Sequence, residues 1–503
     1  MKVFLMHKDR DFDLKQPLLP HQQDLMQDLE LNILVNAMAL GDNFLSNVIQ
    51  KAILCPLYSE EDIKYRQDIL QDCLLHSTVV RELYQIPIQA IENKFKRWMG
   101  IFTHSPSGVL YSAVDLMSMF VELLKQLKQI TDTHAHEFKS EGFRRFFTMI
   151  QSELTDDYFT IVENHLKELK FRNGVLLSVE LGQGNEGVNY TLRLPEQRKR
   201  NWIKSTFLNR SAVYSFTISS RDDAGSRALG DIKDRGLNLA ANALAQATDH
   251  INNFFNVLRV ELAFYIGCIN LNEQLTQMGC PITFPSPTSP HSLNHAFRGL
   301  YDICLALTIK KPVVGNDVNA DQKNLVIITG ANQGGKSTFL RSIGQAQVMM
   351  QAGMYVAAEA FSANICTGIF THYKRKEDAT MKSGKLDEEL SRMSQIVDAI
   401  SPHALVLFNE SFAATNEREG SEIARQITSA LVDREIKVFF VTHMYEFASI
   451  FYQKCNPKHL FLRAERKAGG KRTYKLTVGE PLPTSFGQDV YISVFKSQER
   501  STD

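Results

Sequence analysis

Hydrophobic positions change their spacing three times along the chain. From about residue 20 to 170 they recur at three- and four-residue steps, as in "DLMQDLELNILVNAMAL" and "GVLYSAVDLMSMFVELLKQLKQI". That period predicts amphipathic helices. Leu110, Val114, Met117, Phe120, Val121 and Leu124 would line one face of a single helix. Pro56, Pro87 and Pro106 are expected at helix ends. Residues 171 to 222 carry three short runs rich in β-formers, "GVLLSVELG", "NYTLRLP" and "AVYSFTIS", and predict strands. From about Gly236 to Met278 the helical period returns. Leu237, Leu244, Ile251, Leu258 and Tyr265 recur at sevens, with Ala240, Ala247, Phe254 and Leu262 between them. A helix of that length would run roughly 60 Å. The proline-rich stretch "GCPITFPSPTSPHS" follows and reads as a domain boundary.

After this stretch the pattern alternates. "NLVIITG", "ICTGIFTHYK", "ALVLFNE" and "KVFFVTH" are apolar strand runs. Helical patterns start at Lys336 and lie near 385–400 and 417–434. Such alternation predicts a mainly parallel sheet with helices on its faces. The later run "LFLRAERKAGGKRTYKLTVGE" predicts a hairpin around Gly469-Gly470. No repeat of 20–50 residues and no low-complexity segment interrupts this order. The expected division is a helical core over 1–170, a β-rich insert over 171–222, a long helix and the rest of the core over 223–280, and an α/β domain over 281–503.

At 503 residues the chain is too long for one hydrophobic core. Hydrophobic residues make up 44% and charged residues 22%, as in globular rather than disordered chains. Lys+Arg and Asp+Glu are equal at 56, so charge gives no support for an overall nucleic-acid coat but permits a local basic patch. Seven scattered cysteines without a CxxC pair suit a reducing compartment and read as small buried hydrophobes. The start "MKVFLMHKDRDFDLK" is too short in apolar residues for a signal peptide, and no uninterrupted apolar run approaches a spanning helix. The expectation is a soluble cytoplasmic protein with no membrane partner.

The chemistry lies in "TGANQGGKST". Gly330, Ala331, Asn332, Gln333, Gly334, Gly335, Lys336 and Ser337 fit GxxxxGK[ST], with Thr338 next. Glycines let consecutive N–H groups turn toward a phosphate, and a helix opening at Lys336 adds its positive end. The ammonium would reach the β/γ-phosphates of ATP, and the Ser337 hydroxyl would bind Mg²⁺. Hydrolysis also needs a carboxylate on a nearby strand tip. Glu410 ends "ALVLFNE" and is the candidate base for the attacking water. Asn409 stands where an aspartate is usual in this pattern. Its amide can still accept from a metal-bound water, although without charge, so Ser337, Asn409 and Glu410 form the candidate metal side. His443 ends "KVFFVTH" and is placed to touch the γ-phosphate.

Between the second and third strand runs lies "RKRNWIKSTFLNR". Arg198, Lys199, Arg200, Lys204 and Arg210 occur there with Trp202 and Phe207 and no acid. This is either a solvated loop or a contact to a nucleic-acid backbone with aromatics for stacking.

These residues resemble the MutS family of mismatch-repair ATPases, relatives of the ABC ATPases. "TGANQGGKSTFLRSIGQAQVMMQAGMYVAAE" is similar to that family's TGxNxGGKST loop and the helix after it, and Asn332 falls on the family's Asn. "SPHALVLFNE" and "VFFVTHMYEFA" are similar to its two later strands, and "TSFG" at 484–487 to a late SxG element. "PLYSEEDIKYRQDIL" resembles the entry to its core domain. The likeness implies an α-helical core and lever with a small clamp-like β-rich insert, followed by a C-terminal α/β P-loop ATPase of ABC type. ATP, Mg²⁺ and DNA are the implied cofactors and partner, with a homodimer and other repair proteins as further possibilities. No Phe-x-Glu wedge occurs before the core, where Phe12-Asp13-Leu14 is the nearest text. The expectation is therefore a grip on branched or otherwise non-B DNA through its backbone, without direct mismatch reading. The insert at 171–222 would correspond to the clamp. "KSGKLDEELSRM" occupies the place of the loop that completes a partner's site. Ser383 and Gly384 persist, while Leu386 and Asp387 replace a polar pair. Two other functions compete: an ATPase acting on a protein partner, which zero net charge favours, and a nucleotide-gated scaffold, which Asn409 favours.

Overall fold

The computed structural model describes residues 1–17, 21–98, 105–194, 214–374, 384–467 and 472–483. Residue contacts group the chain into two compact units. One comprises Met1–Val3, Arg81–Phe138 and Arg144–Arg259, and the other Phe4–Val80, Lys139–Phe143 and Val260–Asp503.

The first unit is mainly helical, as the three- and four-residue spacing predicts. Ser105 caps the helix Pro106–His134 by accepting from Gly108 N–H, and Pro106 occupies its first turn. All six stripe residues of this helix are buried. Phe120 packs on Phe255 with ring centroids 5.4 Å apart. Pro87 departs from expectation, because it lies inside the helix Ser77–Trp98 rather than at its end. Leu83, Tyr84 and Ile86 beside it are buried, and that packing outweighs the lost backbone bond.

Among the described residues of the β-rich segment, two of the three predicted runs form strands. Leu176–Leu181 and Gly187–Arg193 pair as an antiparallel hairpin. Leu177 of this hairpin packs where Gly236 leaves room on the long helix, and Arg235 lies over the Tyr190 ring. The described part of the third run, 214–219, forms no strand, and Tyr214 and Phe216 are exposed. β-propensity without a burying neighbour does not make a strand. The long helix runs Asp223–Gln277, 55 residues, and so begins well before Gly236. It contributes residues to both units. This helix and Pro106–Glu137 are long and apolar enough by composition to cross a membrane, but 78% and 44% of those windows are buried within the protein.

The second unit contains two sheets. Leu325–Thr329, Lys437–Val441, Leu405–Asn409 and Ile369–Tyr373 pair in parallel in that order, and His459–Arg466 adds in parallel on the other side of Leu325–Thr329. Arg472–Val478 closes that edge antiparallel, as the predicted hairpin requires. The runs LVIIT, LVLFN and KVFFV are almost wholly buried, as expected of strands covered on both faces. Phe408, Phe440 and Phe447 form the centre of one covering layer with Met393 and Ala424. A second sheet orders Ser286–Thr288, Ala360–Asn364, His295–Leu300 and Asn316–Asn319. The proline-rich stretch therefore lies inside this unit and supplies one of its strands.

Three charged side chains buried in this unit are spent largely on backbone. The guanidinium of Arg66 donates to Met6 O and Ala352 O. The Glu261 carboxylate accepts from the N–H groups of Leu5, Met6 and Phe12. Lys437 donates to Leu293 O, Asn294 O and Asn364 Oδ1, which fastens the two sheets together.

Candidate active site

The parallel order decides where the predicted residues meet. Leu325–Thr329, Lys437–Val441 and Leu405–Asn409 are neighbours, so their carboxyl ends share one edge. Thr442 N–H donates to Ile328 O and Glu410 N–H to Val441 O, which carries the ladder past the strands. The glycine loop, Glu410 and His443 thus lie side by side, at the edge where parallel sheets bind ligands.

The loop has the conformation its glycines allow. Gly330 adopts φ +112° and Gly335 φ +87°, and the helix Lys336–Gln351 starts directly after. Gly334 has no room for a side chain, since a methyl there would stand 2.7 Å from Ala464 Cβ. Asn332, Gln333 and Ser337 are exposed, Thr338 is half-buried, and Ala331 is buried. Lys336 folds back so that Nζ donates to Gly330 O and Ala331 O, both at 3.0 Å. Burial pushes its ammonium down to about 8, with Glu410 opposing and Arg472 assisting that fall.

Ser337 Oγ donates to Asn409 Oδ1 at 2.9 Å, so these two oxygens are already paired with each other. Both are hard oxygen donors of the kind Mg²⁺ takes. His443 Nε2 lies 2.8 Å from Glu410 Oε1. That hydrogen bond, more than the charges of His443, Lys336 and Lys374, holds the Glu410 carboxyl below the usual range. Glu410 itself has φ +55°, an uncommon backbone for a side chain with Cβ. The fit to a nucleotide and Mg²⁺ rests on this set: a cradle that a methyl would fill, a buried ammonium, paired hard oxygens and an ionised carboxylate.

The region 326–495 matches the sequence model described as MutS domain V, and 59–278 matches that described as the MutS2 N-terminal domain. The chain belongs to the MutS family. Within the MutS family it is 28% identical over 197 residues to MutS protein homolog 4 of Mus musculus, which is 38% of this chain and 21% of that relative. It is 30% identical over 177 residues to DNA mismatch repair protein MutS of Thermus aquaticus, 35% of this chain and 22% of that protein. The same protein of Thermotoga sp. (strain RQ2) is 31% identical over 157 residues, 31% and 20% of the two chains. The chain spans about a fifth of the length of these MutS relatives.

The remaining predicted residues divide in two. Gly384 is the N-cap of the helix Lys385–Ala399. Arg198, Lys199, Arg200, Lys204, Arg210 and Ser383, together with 484–487, lie outside the described residues. Sequence reasoning missed the wall behind the loop. Ala464 packs on Gly330 and Gly334, and Tyr474 stands beside Gly335. Asn316 anchors that wall by donating to Tyr474 O and accepting from Leu476 N–H. An alanine inside a charged hairpin carries no signal of such a contact.

Proposed function

We propose that the chain is an ATP-dependent DNA-binding protein of MutS type, with Mg²⁺-dependent hydrolysis of ATP coupled to its grip on DNA. The observation that carries this reading is the convergence of Lys336, Ser337, Asn409, Glu410 and His443 on one sheet edge. Lys336 leaves the carbonyls of Gly330 and Ala331 for the β- and γ-phosphate oxygens. Glu410 accepts a proton from the attacking water, while His443 holds one carboxylate oxygen and leaves the other for that water. Ser337 and Asn409 would hold Mg²⁺, which supplies positive charge to the β- and γ-oxygens when bound. The uncharged Asn409 makes that hold weaker than an aspartate would.

The basic segment 198–210 supplies the DNA contact in this reading, through phosphates rather than base edges. Branched or otherwise non-B DNA is the proposed ligand. A homodimer formed in its presence, with Gly384 and Ser383 facing the partner's nucleotide, is the proposed assembly, and the cytoplasm its compartment. The name of the Thermus aquaticus and Thermotoga relatives, DNA mismatch repair protein MutS, supports a repair role, and a recombination role is the related alternative.

The test measures steady-state ATP turnover with no DNA and with homoduplex, mismatched and four-way DNA, together with the mass of each species. Stimulation by four-way over homoduplex DNA is expected, lost when Arg198, Lys199 and Arg200 are reversed to Glu. ATP turnover unaffected by every DNA, with no salt-dependent binding, would favour a protein partner instead.

A further inference from the structure

The turn that presents Glu410 is braced from behind by groups that the chemistry above does not use. Ser411 and Phe412, the two residues after Glu410, are fully buried, and Phe412 has φ +64°. Two left-handed residues in three positions cost backbone energy and persist only where surroundings hold them. Phe412 N–H donates to Glu389 Oε2 at 2.7 Å. Ser411 Oγ lies 2.7 Å from His372 Nδ1 and 2.5 Å from His372 O. His372 Nε2 lies 2.9 Å from Glu389 O.

The roles in this network follow from proton counting. A carbonyl only accepts, so Nε2 of His372 donates to Glu389 O. Burial pushes His372 down to about 4, so the ring is neutral and Nδ1 accepts. The one hydroxyl proton of Ser411 is therefore shared between Nδ1 and His372 O. His372 also stacks on Phe412, with planes 20° apart and centroids at 5.1 Å. A methyl on Gly420 would meet Phe412 O at 2.3 Å, so helix Glu417–Asp433 packs directly against the turn. Among the described residues, Glu389 is the carboxylate hydrogen-bonded to this turn.

We propose that Glu389, His372 and Ser411 are positioning residues that hold the Asn409–Phe412 turn in its left-handed form, and so aim Glu410 at its water. They also tie that carboxylate to the first turns of helix Lys385–Ala399, where Glu389 lies. This rests on the reading of Glu410 as the base. A positioning role differs from a packing role because it acts on the chemical step while leaving nucleotide affinity in place.

The experiment uses the full chain and two probes, ATP for turnover and a β,γ-imido ATP analogue for affinity. Glu389→Ala and Ser411→Ala are each expected to lower kcat about 10- to 100-fold with analogue Kd changed less than about threefold. Glu389→Gln keeps a carbonyl acceptor for Phe412 N–H and is expected to restore most of the loss. In a Glu410→Gln background, Glu389→Ala is expected to cause no further loss, since the group it aims is already disabled. Parental kcat in both Ser411→Ala and Glu389→Ala, equal losses in kcat and affinity, or full additivity with Glu410→Gln would overturn the proposal. If Glu389→Ala loses its cooperative thermal transition, Ser411→Ala, which removes one oxygen, decides alone. If Glu410→Gln itself turns over ATP at the parental rate, the base assignment falls and this proposal with it. If Glu410→Gln is inactive while Ser411→Ala and Glu389→Ala are parental, only the positioning proposal falls.

Discussion

His443 Nε2 and Glu410 Oε1 are 2.8 Å apart, although 33 residues separate them in the chain. Their strands are direct neighbours, and the ladder continues past them through Glu410 N–H and Thr442 N–H, so the sheet brings the pair together. Because this hydrogen bond is the largest cause of the lowered Glu410 pKa, it decides over which pH range the base is ionised.

Glu410 is ionised at neutral pH and is lost as pH falls through its depressed folded-state value. Removing the bond raises that value. His443→Ala is therefore expected to move the acid limb of the kcat profile to higher pH, and to lower kcat at pH 7.5 by about tenfold. Glu410→Gln is expected to keep ATP binding and lose turnover by about a hundredfold or more. A pH profile of kcat from 5 to 8 for both variants checks this.

Lys336 makes an opposite kind of prediction. Its folded-state pKa of about 8 lies below the ordinary 10.5, so the unfolded chain binds more protons across that window. The nucleotide-free protein should gain stability as pH rises from about 8 to 10.5, and the buried charge should cost it stability below 8. Lys336→Met should then stabilise the nucleotide-free protein by about 1–3 kcal/mol at pH 7 while abolishing ATP binding. Thermal unfolding with and without ATP reads both effects.

Asn409 provides a gain-of-function test. Asn409→Asp places a charge 2.9 Å from Ser337 Oγ, where the amide oxygen now stands. The Mg²⁺ concentration for half-maximal turnover is expected to fall about tenfold, as one full charge is added beside a hard cation. A Mg²⁺ titration of turnover at fixed ATP measures it.

Gly334 is constrained by space rather than by φ. Gly334→Ala puts a methyl 2.7 Å from Ala464 Cβ, and is expected to weaken the ATP analogue at least tenfold, in line with overpacking costs of about 1–3 kcal/mol. Ala464→Gly removes the opposing carbon and should recover part of that loss in the double variant. Analogue titrations of the three variants decide it.

Much of this site is legible before any coordinates. Period changes mark the strands, and the loop, Glu410 and His443 fall on strand tips because each ends a buried apolar run. That they meet depends on strand order, which sequence spacing does not encode. Lys437 stands at the head of "KVFFV" like any solvent-facing charge, yet is buried among carbonyls of a distant segment. Pro87 and the run 214–219 mislead for one reason: local preference is weaker than the burial that neighbours provide or withhold. The braces behind Glu410 are invisible because His372, Glu389 and Ser411 are unremarkable residues whose roles arise from three different elements.

The contact between Ala464 and two loop glycines has a practical corollary. A single methyl on a neighbouring strand fills the space behind the phosphate cradle that a side chain on Gly330 or Gly334 would need. Position 464 is thus a dial: a graded series of side-chain volumes there offers a way to build versions of the protein with stepped nucleotide affinity, without substituting any group proposed to handle phosphate, metal or water.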